Sequence, residues 1–409
     1  MTVEKEGLFR WQLLSDRERK NLVILDLIRK NGSISRTEVS RVTGLNIVTV
    51  SNYINNYIDK SLVLEKGLDV SSGGRKPALV ELNSKGGYVI GVDIGPGEIF
   101  VIMTDLGIKP ISKIKVKRPK GNMEEVVYNA IPLIQEVIDK SKIELAKIKC
   151  IGVGVSGVID EPGGTIKDTD PARGCTSVDF LMFINDLKKR FGTRTFIGND
   201  ATCAAFGEKR LNPKADVDDL LYVYSDIGCG IVIKGEVYCG AGGAAGEIQI
   251  SPDVETKEYA FLRQDRSYLR PWGIDLGIAV EAKKIVEKGI GTLIVELADG
   301  NVDNITKDVV IEAAKRNDRI AIELIENAAV NLGVRVAYLI NLFNPEVVVI
   351  GGGVEKAGEI FWEPLRRTIK NLAFEQPASL VKVVPSILGE DAVCLGAASL
   401  AIRELFIEA

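Results

Sequence analysis

Between Ser15 and Lys60 the apolar residues recur three or four positions apart, and cap and turn residues separate the runs. Val23, Ile24, Leu27 and Ile28 line one face of a helix that Ser15 can cap. Asn31-Gly32 ends it, since both residues tolerate left-handed dihedrals. Ser35-Arg36-Thr37-Glu38 reads as a capping box opening a second, short helix. That helix stops near Gly44, which suits the tight turn between two crossed helices. Asn46 or Thr49 starts a third helix, about Ile47 to Lys60, with Val50, Ile54, Tyr57 and Ile58 in one stripe. Its other face shows Asn46, Thr49, Ser51, Asn52 and Asn55, short polar side chains able to reach base edges and phosphates. Leu62–Lys66 then leads to a Gly/Ser-rich stretch ending Gly73-Gly74-Arg75-Lys76-Pro77. This predicts a β-wing whose basic tip, Arg75 and Lys76, follows a minor groove or a phosphate line. The order of parts predicts a winged helix-turn-helix DNA-binding domain over residues 1–72 and a linker at 73–86. The bland alternative is a three-helix packing domain with no nucleic-acid role.

From Tyr88 the pattern changes to apolar strands alternating with helices. Strands are expected at Tyr88–Ile94, Ile99–Met103 and Ile111–Lys117, the last two continuing an antiparallel meander. A helix follows at Glu124–Lys140, then buried strands at Ile148–Val155 and Thr195–Gly198. A second set starts with Leu220–Tyr224 and Ile231–Lys234. It continues with long helices at Asp275–Lys288 and Asp308–Phe343 and strands at Glu346–Ile350 and Val381–Val384. This is an α/β body with one meander in each half.

Composition narrows the chemistry. The 409 residues imply two or three domains, and 46% apolar content is ample for large cores. There is no apolar run of membrane-spanning length and no signal-peptide pattern at the start. The six cysteines are scattered singly, which fits reduced, buried thiols and a cytoplasmic protein. The chain has no histidine, so proton transfer must rest on a carboxylate, Lys, Tyr or Cys, and His-ligated zinc is excluded. Net charge is −4, but residues 1–85 hold 14 Lys and Arg against 10 Asp and Glu. A mildly basic head on an acidic body fits nucleic-acid contact by the head alone.

Six short segments of the body place glycines and carboxylates at strand ends. Asp93-Ile94-Gly95-Pro96-Gly97 can set a carboxylate and backbone N–H groups near phosphates. Ile151–Gly157 runs into a small-residue loop suited to close ligand approach. Asn199-Asp200-Ala201 offers an amide and a carboxylate side by side for sugar hydroxyls, and the carboxylate could deprotonate one. Asp226–Ile231, with Gly228 and Gly230, is a second glycine turn. Gly243–Glu247 supplies a further carboxylate on a loop. At Gly351, Gly352 and Gly353 a nucleotide base could lie flat on backbone. Each segment taken singly reads as a tight turn; six in one chain argue for a site.

In this order the parts resemble the ROK family (repressors, open reading frames, kinases), and the resemblance covers nearly the whole chain. It implies a hexokinase/actin-like (ribonuclease H-like) ATPase fold, α/β, with two lobes closing on sugar and ATP. The lobes would be residues 87–200 and 201–409, the final helix returning to the first. The head and Gly73–Pro77 look like the family's repressor branch. The first phosphate motif falls on Asp93 to Gly97 and the second on Tyr224–Gly228. The N-D-A motif falls on Asn199, Asp200 and Ala201, implying Asp200 as general base and Asn199 as sugar ligand. A-G-E falls on Ala245, Gly246 and Glu247, implying sugar binding by Glu247. Gly351–Val354 matches the adenosine-side turn, and Gly389–Ala392 with Gly396–Ala398 the closing helix.

The departures are informative. Ile248-Gln249 stand where the family's Gly-His follows A-G-E, and Ser251–Gly273 has no Cys or His, so the family's zinc loop and its sugar-contacting histidine are missing. Asp226 adds negative charge where phosphate oxygens would sit, and Pro96 removes a backbone donor. The sugar half is more intact than the ATP half. The resulting expectation is a sugar-responsive transcriptional repressor, cytoplasmic, without membrane contact. It would be a homodimer or homotetramer whose partners are operator DNA and a sugar or sugar phosphate. DNA binding would need no cofactor and no zinc, and Mg-ATP would matter only to a kinase. The alternative is an ATP-dependent sugar kinase of glucokinase or N-acetylglucosamine kinase type.

Overall fold

The structure is a computed structural model, and residues 7–9, 14–68, 78–167, 176–224, 228–248 and 274–409 are described. The head consists of α1 (Asp16–Asn31), β1 (Ile34–Ser35), α2 (Arg36–Thr43), α3 (Ile47–Asp59), β2 (Val63–Leu68) and β3 (Ala78–Leu82). Ser15 and Glu18 form the reciprocal capping box of α1. At α2 the Ser35 hydroxyl accepts from the Glu38 amide, but the Glu38 carboxylate turns to Arg41 instead of closing the box expected there. Gly44 ends α2 in the left-handed region, and Val50, Ile54 and Tyr57 are the buried stripe of α3. Residues 78–82, inside the stretch expected as linker, are the central strand of the antiparallel head sheet β1-β3-β2. Alternation in Ala78-Leu79-Val80-Glu81-Leu82 is the sequence signal for it.

The first lobe contains β4 (Tyr88–Ile94), β5 (Glu98–Asp105), β6 (Pro110–Lys117), α4 (Met123–Tyr128) and α5 (Ala130–Ser141). It continues with β7 (Ile148–Val155), β8 (Val158–Asp160), β9 (Thr165–Lys167), β10 (Ser177–Asp179), α6 (Phe180–Phe191) and β11 (Arg194–Asn199). Then come α7 (Asp200–Leu211), β12 (Leu220–Tyr224), β13 (Cys229–Ile233), β14 (Glu236–Val237), α8 (Ile278–Glu287) and α9 (Leu293–Leu297). The chain closes with α10 (Lys307–Lys315), α11 (Arg319–Phe343), β15 (Val347–Gly351), α12 (Glu359–Leu372), α13 (Glu375–Leu380), β16 (Lys382–Pro385) and α14 (Ala392–Ile407). Where one helix was expected over Asp308–Phe343 there are two. Asn317 takes a left-handed φ of 64°, and Asp318 caps α11 by accepting from the Ala321 amide at 2.8 Å.

Two five-stranded sheets, ordered β11-β7-β4-β5-β6 and β14-β13-β12-β15-β16, form the lobes among the described residues. In β12, Leu220 and Tyr222 face one apolar cluster and Leu221 and Val223 another, as expected of a strand covered on both faces. Helix α14 lies on β4 and β7, and α7 on β12 and β13. The two helices also pack on each other, so they fill the space between the sheets. Their approach depends on glycine: a Cβ on Gly396 would sit 1.9 Å from the Cys203 carbonyl oxygen. The head belongs to this same core. Ile24, Leu25, Ile28, Ile54 and Tyr57 form one buried cluster with α7, with α14 and with the inner faces of both sheets. No described helix is long and apolar enough to cross a membrane.

Candidate functional site

Strands β4, β7 and β11 run parallel, and their C-terminal ends lie side by side. Asp93 is paired with Gly154, Gly154 with Gly198, and Val155 with Asn199. Ligands in open α/β sheets gather at such carboxyl ends. The register therefore puts Asp93 and the Asn199-Asp200 corner on one edge. Asn199 is the N-cap of α7: its Oδ1 accepts from the Thr202 amide at 3.2 Å, and its Nδ2 donates to the Gly157 carbonyl at 3.3 Å. The amide expected to hold sugar thus also orients the corner that presents Asp200. Asp200 is 7% exposed and accepts from the Ala201 amide at 2.7 Å. Burial pushes its carboxyl up to about 6, against backbone donors and the Ser156 and Asn199 side chains, which favour the charged form.

The second lobe supplies Glu247. Gly228 and Glu247 pair across an antiparallel bridge, and the Cys229 amide donates to the Gly246 carbonyl at 3.0 Å. Gly246 sits at φ 98°, and a Cβ there would meet the Cys229 oxygen at 1.9 Å. No other residue fits between Ala245 and Glu247. Desolvation and then the charge of Asp200 push the Glu247 carboxyl up to about 7, but its side chain is exposed and solvent screens that shift. Two carboxyls from different lobes therefore repel one another where the lobes meet. Such a pair is suited to accept hydrogen bonds from vicinal hydroxyls. The Glu161 amide reaches the Gly242 carbonyl at 3.1 Å and ties β8 to the same loop.

The glycine turns expected to hold phosphate are largely occupied by the chain. The Gly95 amide closes the β4–β5 hairpin on the Glu98 oxygen at 3.0 Å. The Gly95 carbonyl accepts from Arg118 at 2.9 Å, and Gly97 accepts from the Arg118 amide at 2.8 Å. Gly230 packs against α7, where a Cβ would lie 2.1 Å from the Ala201 oxygen. On the adenosine side the Lys307 ammonium donates to the Gly352 carbonyl. The Gly353 amide donates to Glu355 at 2.8 Å, and Gly351 ends β15 above Tyr222. Beside this turn, Glu390 accepts from Lys115 at 2.8 Å and Lys356 at 2.7 Å. These hydrogen bonds draw its carboxyl down to about 2. Asp226 lies outside the described residues. Among the described residues no group of three His, Cys, Asp or Glu could hold a metal ion.

In the head, Thr49, Ser51, Asn52 and Asn55 lie on the outer side of α3, Asn52 and Asn55 exposed and Thr49 and Ser51 half-buried. Asn46 is exposed but caps the helix on the Val48 amide at 2.8 Å. Asn55 accepts from Arg36 at 2.8 Å. Arg75 and Lys76 lie outside the described residues. Sequence reasoning passed over Val48, 64% exposed at the start of α3, where an apolar side chain can meet a thymine methyl. It also passed over Ser156, whose signal was its place in the small-residue loop after β7. Lys307, distant in sequence from the turn it reaches, gave no signal.

A carboxylate–amide corner facing a second carboxylate across two α/β lobes, with a helical head docked on the helices between, defines a protein of hexokinase/actin-like fold that carries an added N-terminal module. The profile described as "ROK family" matches residues 89–250 and 285–404, and the chain belongs to that family. It is 30% identical to the xylose repressor of Caldicellulosiruptor bescii over 94% of this chain and 95% of that one. It is 25% identical to the DNA-binding transcriptional dual regulator NagC of Escherichia coli over 91% and 89%. Among solved structures, a ROK family transcriptional regulator homologous to Escherichia coli MLC covers 96% of this chain and 98% of its own, with TM-score 0.75 and 22% identity. A ROK family glucokinase from Streptomyces griseus, solved with glucose and AMPPNP, covers 77% of this chain and 99% of its own, with TM-score 0.64 and 25% identity.

Proposed function

We propose that this chain is a sugar-responsive transcriptional repressor that reads a two-fold symmetric operator as a dimer and takes D-xylose as its effector. The observation that carries the reading is the contrast within the body. Asp200 and Glu247 bring two carboxyls close enough to feel each other's charge, with Asn199 fixing the corner that presents Asp200, while the amides of Gly95 and Gly353 are already donated to Glu98 and Glu355. Similarity to a xylose repressor over nearly the full length of both chains supports the sugar and the operator together. Asn52, Asn55, Thr49, Ser51 and Val48 would face the major groove, with Arg75 and Lys76 on phosphate. Sugar would bind by donating hydroxyl hydrogens to the two carboxylates.

A kinase is the second reading, and Asp200 favours it: a carboxyl near 6 is a competent proton acceptor at neutral pH. The test uses a duplex selected by the protein from a randomised library, with D-xylose, D-glucose and N-acetylglucosamine as effectors, and a coupled assay with Mg-ATP. Xylose should weaken duplex binding by about 5–150-fold, the usual range of allosteric coupling, with negligible turnover. Turnover of about 1–100 s⁻¹ on any of the three sugars, as kinases show, abolished by Asp200→Asn, would establish the kinase instead.

A further inference from the structure

The head is fastened to the body at places that converge on one strand–turn–helix unit. Ahead of α1, Leu8 forms a parallel bridge to Ile197 of β11, and the Ile197 amide donates to the Gly7 oxygen at 2.9 Å. The Phe9 ring stacks on Phe196 at 5.7 Å, and Leu8 and Phe9 are both buried. At the other end of the unit, Arg210 in the last turn of α7 lies 3.4 Å from Asp26 of α1, its side chain 4% exposed. The rings of Phe206 and Phe406 flank the Arg210 guanidinium, and Asp26 also takes Arg29 at 2.9 Å. Ile197 thus holds the Gly7–Phe9 segment that precedes the head, and Arg210 holds α1. The turn between them is Asn199-Asp200, and α7 spans about 18 Å from that turn to Leu211 at about 1.5 Å per residue.

Helix α7 has no slack along this length. Gly207 and Gly396 cross with the backbones in contact, and buried Glu208 accepts from Ser386 and from the Leu388 amide ahead of α14. Helix α14 in turn ends under the head. Its Ile407 carbonyl accepts from Asn21 at 3.1 Å, and Asn21 accepts from the Tyr57 hydroxyl of α3 at 2.9 Å. The Ala409 oxygen takes Asn56 at 3.2 Å and Lys60 at 2.8 Å.

We infer that β11–α7 is the lever by which the sugar corner sets the pose of the head, with the Asp26–Arg210 ion pair as its hold on α1 and the pairing of Leu8–Phe9 with β11 as a second attachment ahead of it. This rests on the sugar and operator reading above. A tightly packed helix moves as a rigid piece. A small rotation at Asp200 therefore displaces Arg210, and an ion pair buried on one side resists being stretched. The pair acts on the coupling between ligands, and neither of its members touches sugar or DNA.

Two measurements on the full chain test this. The first compares the parent with Asp26→Asn and Phe9→Ala, titrating the selected duplex with and without D-xylose. The parent ratio of the two affinities should fall to below about threefold in each variant, while xylose affinity by calorimetry stays within about threefold of the parent. Retention of the parent ratio in both variants overturns the lever. The second needs neither ligand: amide hydrogen exchange in Asp200→Asn against the parent. Protection at Gly7–Phe9 and along α1 should change by at least about threefold, and unchanged protection there overturns the lever. A parent that ignores xylose, with altered protection in Asp200→Asn, would refute the choice of effector and leave the lever standing.

Discussion

Asp200 and Glu247 are carboxyls held above their ordinary range, at about 6 and about 7, from values of 3.8 and 4.5. The folded protein therefore holds these protons more tightly than the unfolded chain does. Their contribution to stability is fully present below the unfolded values and is lost as pH rises through the folded ones. The melting temperature should fall as pH climbs from about 4 to about 7, mostly through buried Asp200, and Glu247→Gln should flatten the upper part of that fall slightly, since Glu247 is exposed and screened. A thermal melt series shows whether it does; an unchanged slope would mean Glu247 is not held protonated. Xylose affinity should rise over the same window, because ionised carboxylates accept hydroxyl hydrogens. Glu390 has the opposite sign, drawn down to about 2 by Lys115 and Lys356. Its support is present above the ordinary carboxylate range and lost toward pH 2, and its exposure keeps that support small. At this scale the residue types were legible and their surroundings were not. The Asn199-Asp200 pair announces a polar corner, but that Asn199 spends its oxygen capping α7, or that Lys307 reaches Gly352, depends on contacts far apart in sequence.

Elements formed where local preference and burial pattern agreed. The strand edges and the three head helices follow from periodicity and caps. The failures have physical reasons: Asn317-Asp318 offers a left-handed turn and an N-cap inside an apolar run, and only the cap geometry of α11 decides that it breaks the helix. Ser15, not Ser35, completes a reciprocal box, because Arg41 lies one turn after Glu38 and competes for its carboxylate. The α7–α14 crossing is set by absent side chains. Gly396→Ala should cost about 1–3 kcal/mol, the usual penalty of an overpacked core, read as a lower urea midpoint at unchanged m-value. No loss of stability would show that α14 can shift to admit a methyl group.

The whole molecule joins two modules through one core, a fact invisible in a sequence where the head and the last helix are hundreds of residues apart. Since Ile24, Tyr57 and Phe406 share a cluster, head and body should melt together. Calorimetry should give a single transition for the full chain, and a separate low-temperature peak would show that the head unfolds alone. On DNA, replacing both Arg75 and Lys76 with Ala should lower the magnitude of the logarithmic salt slope by about 2, since each phosphate contact contributes roughly 0.9. Equal slopes in parent and variant would remove the wing from the interface. By contrast, Asn52→Ala should weaken selected duplexes far more than random ones.

The shared core also limits how such a regulator can be rebuilt. Joining a foreign winged head ahead of Tyr88 would import a new operator preference. It would discard the complementary surface, which is scattered over Leu8–Phe9, Asn21, Asp26 and Asn56 on one side and Arg210 and Phe406–Ala409 on the other. A graft made at the apparent boundary would bind its new site and ignore sugar. Recombination that preserves control must exchange α1 and the turn that follows α14 together, although hundreds of residues separate them in sequence.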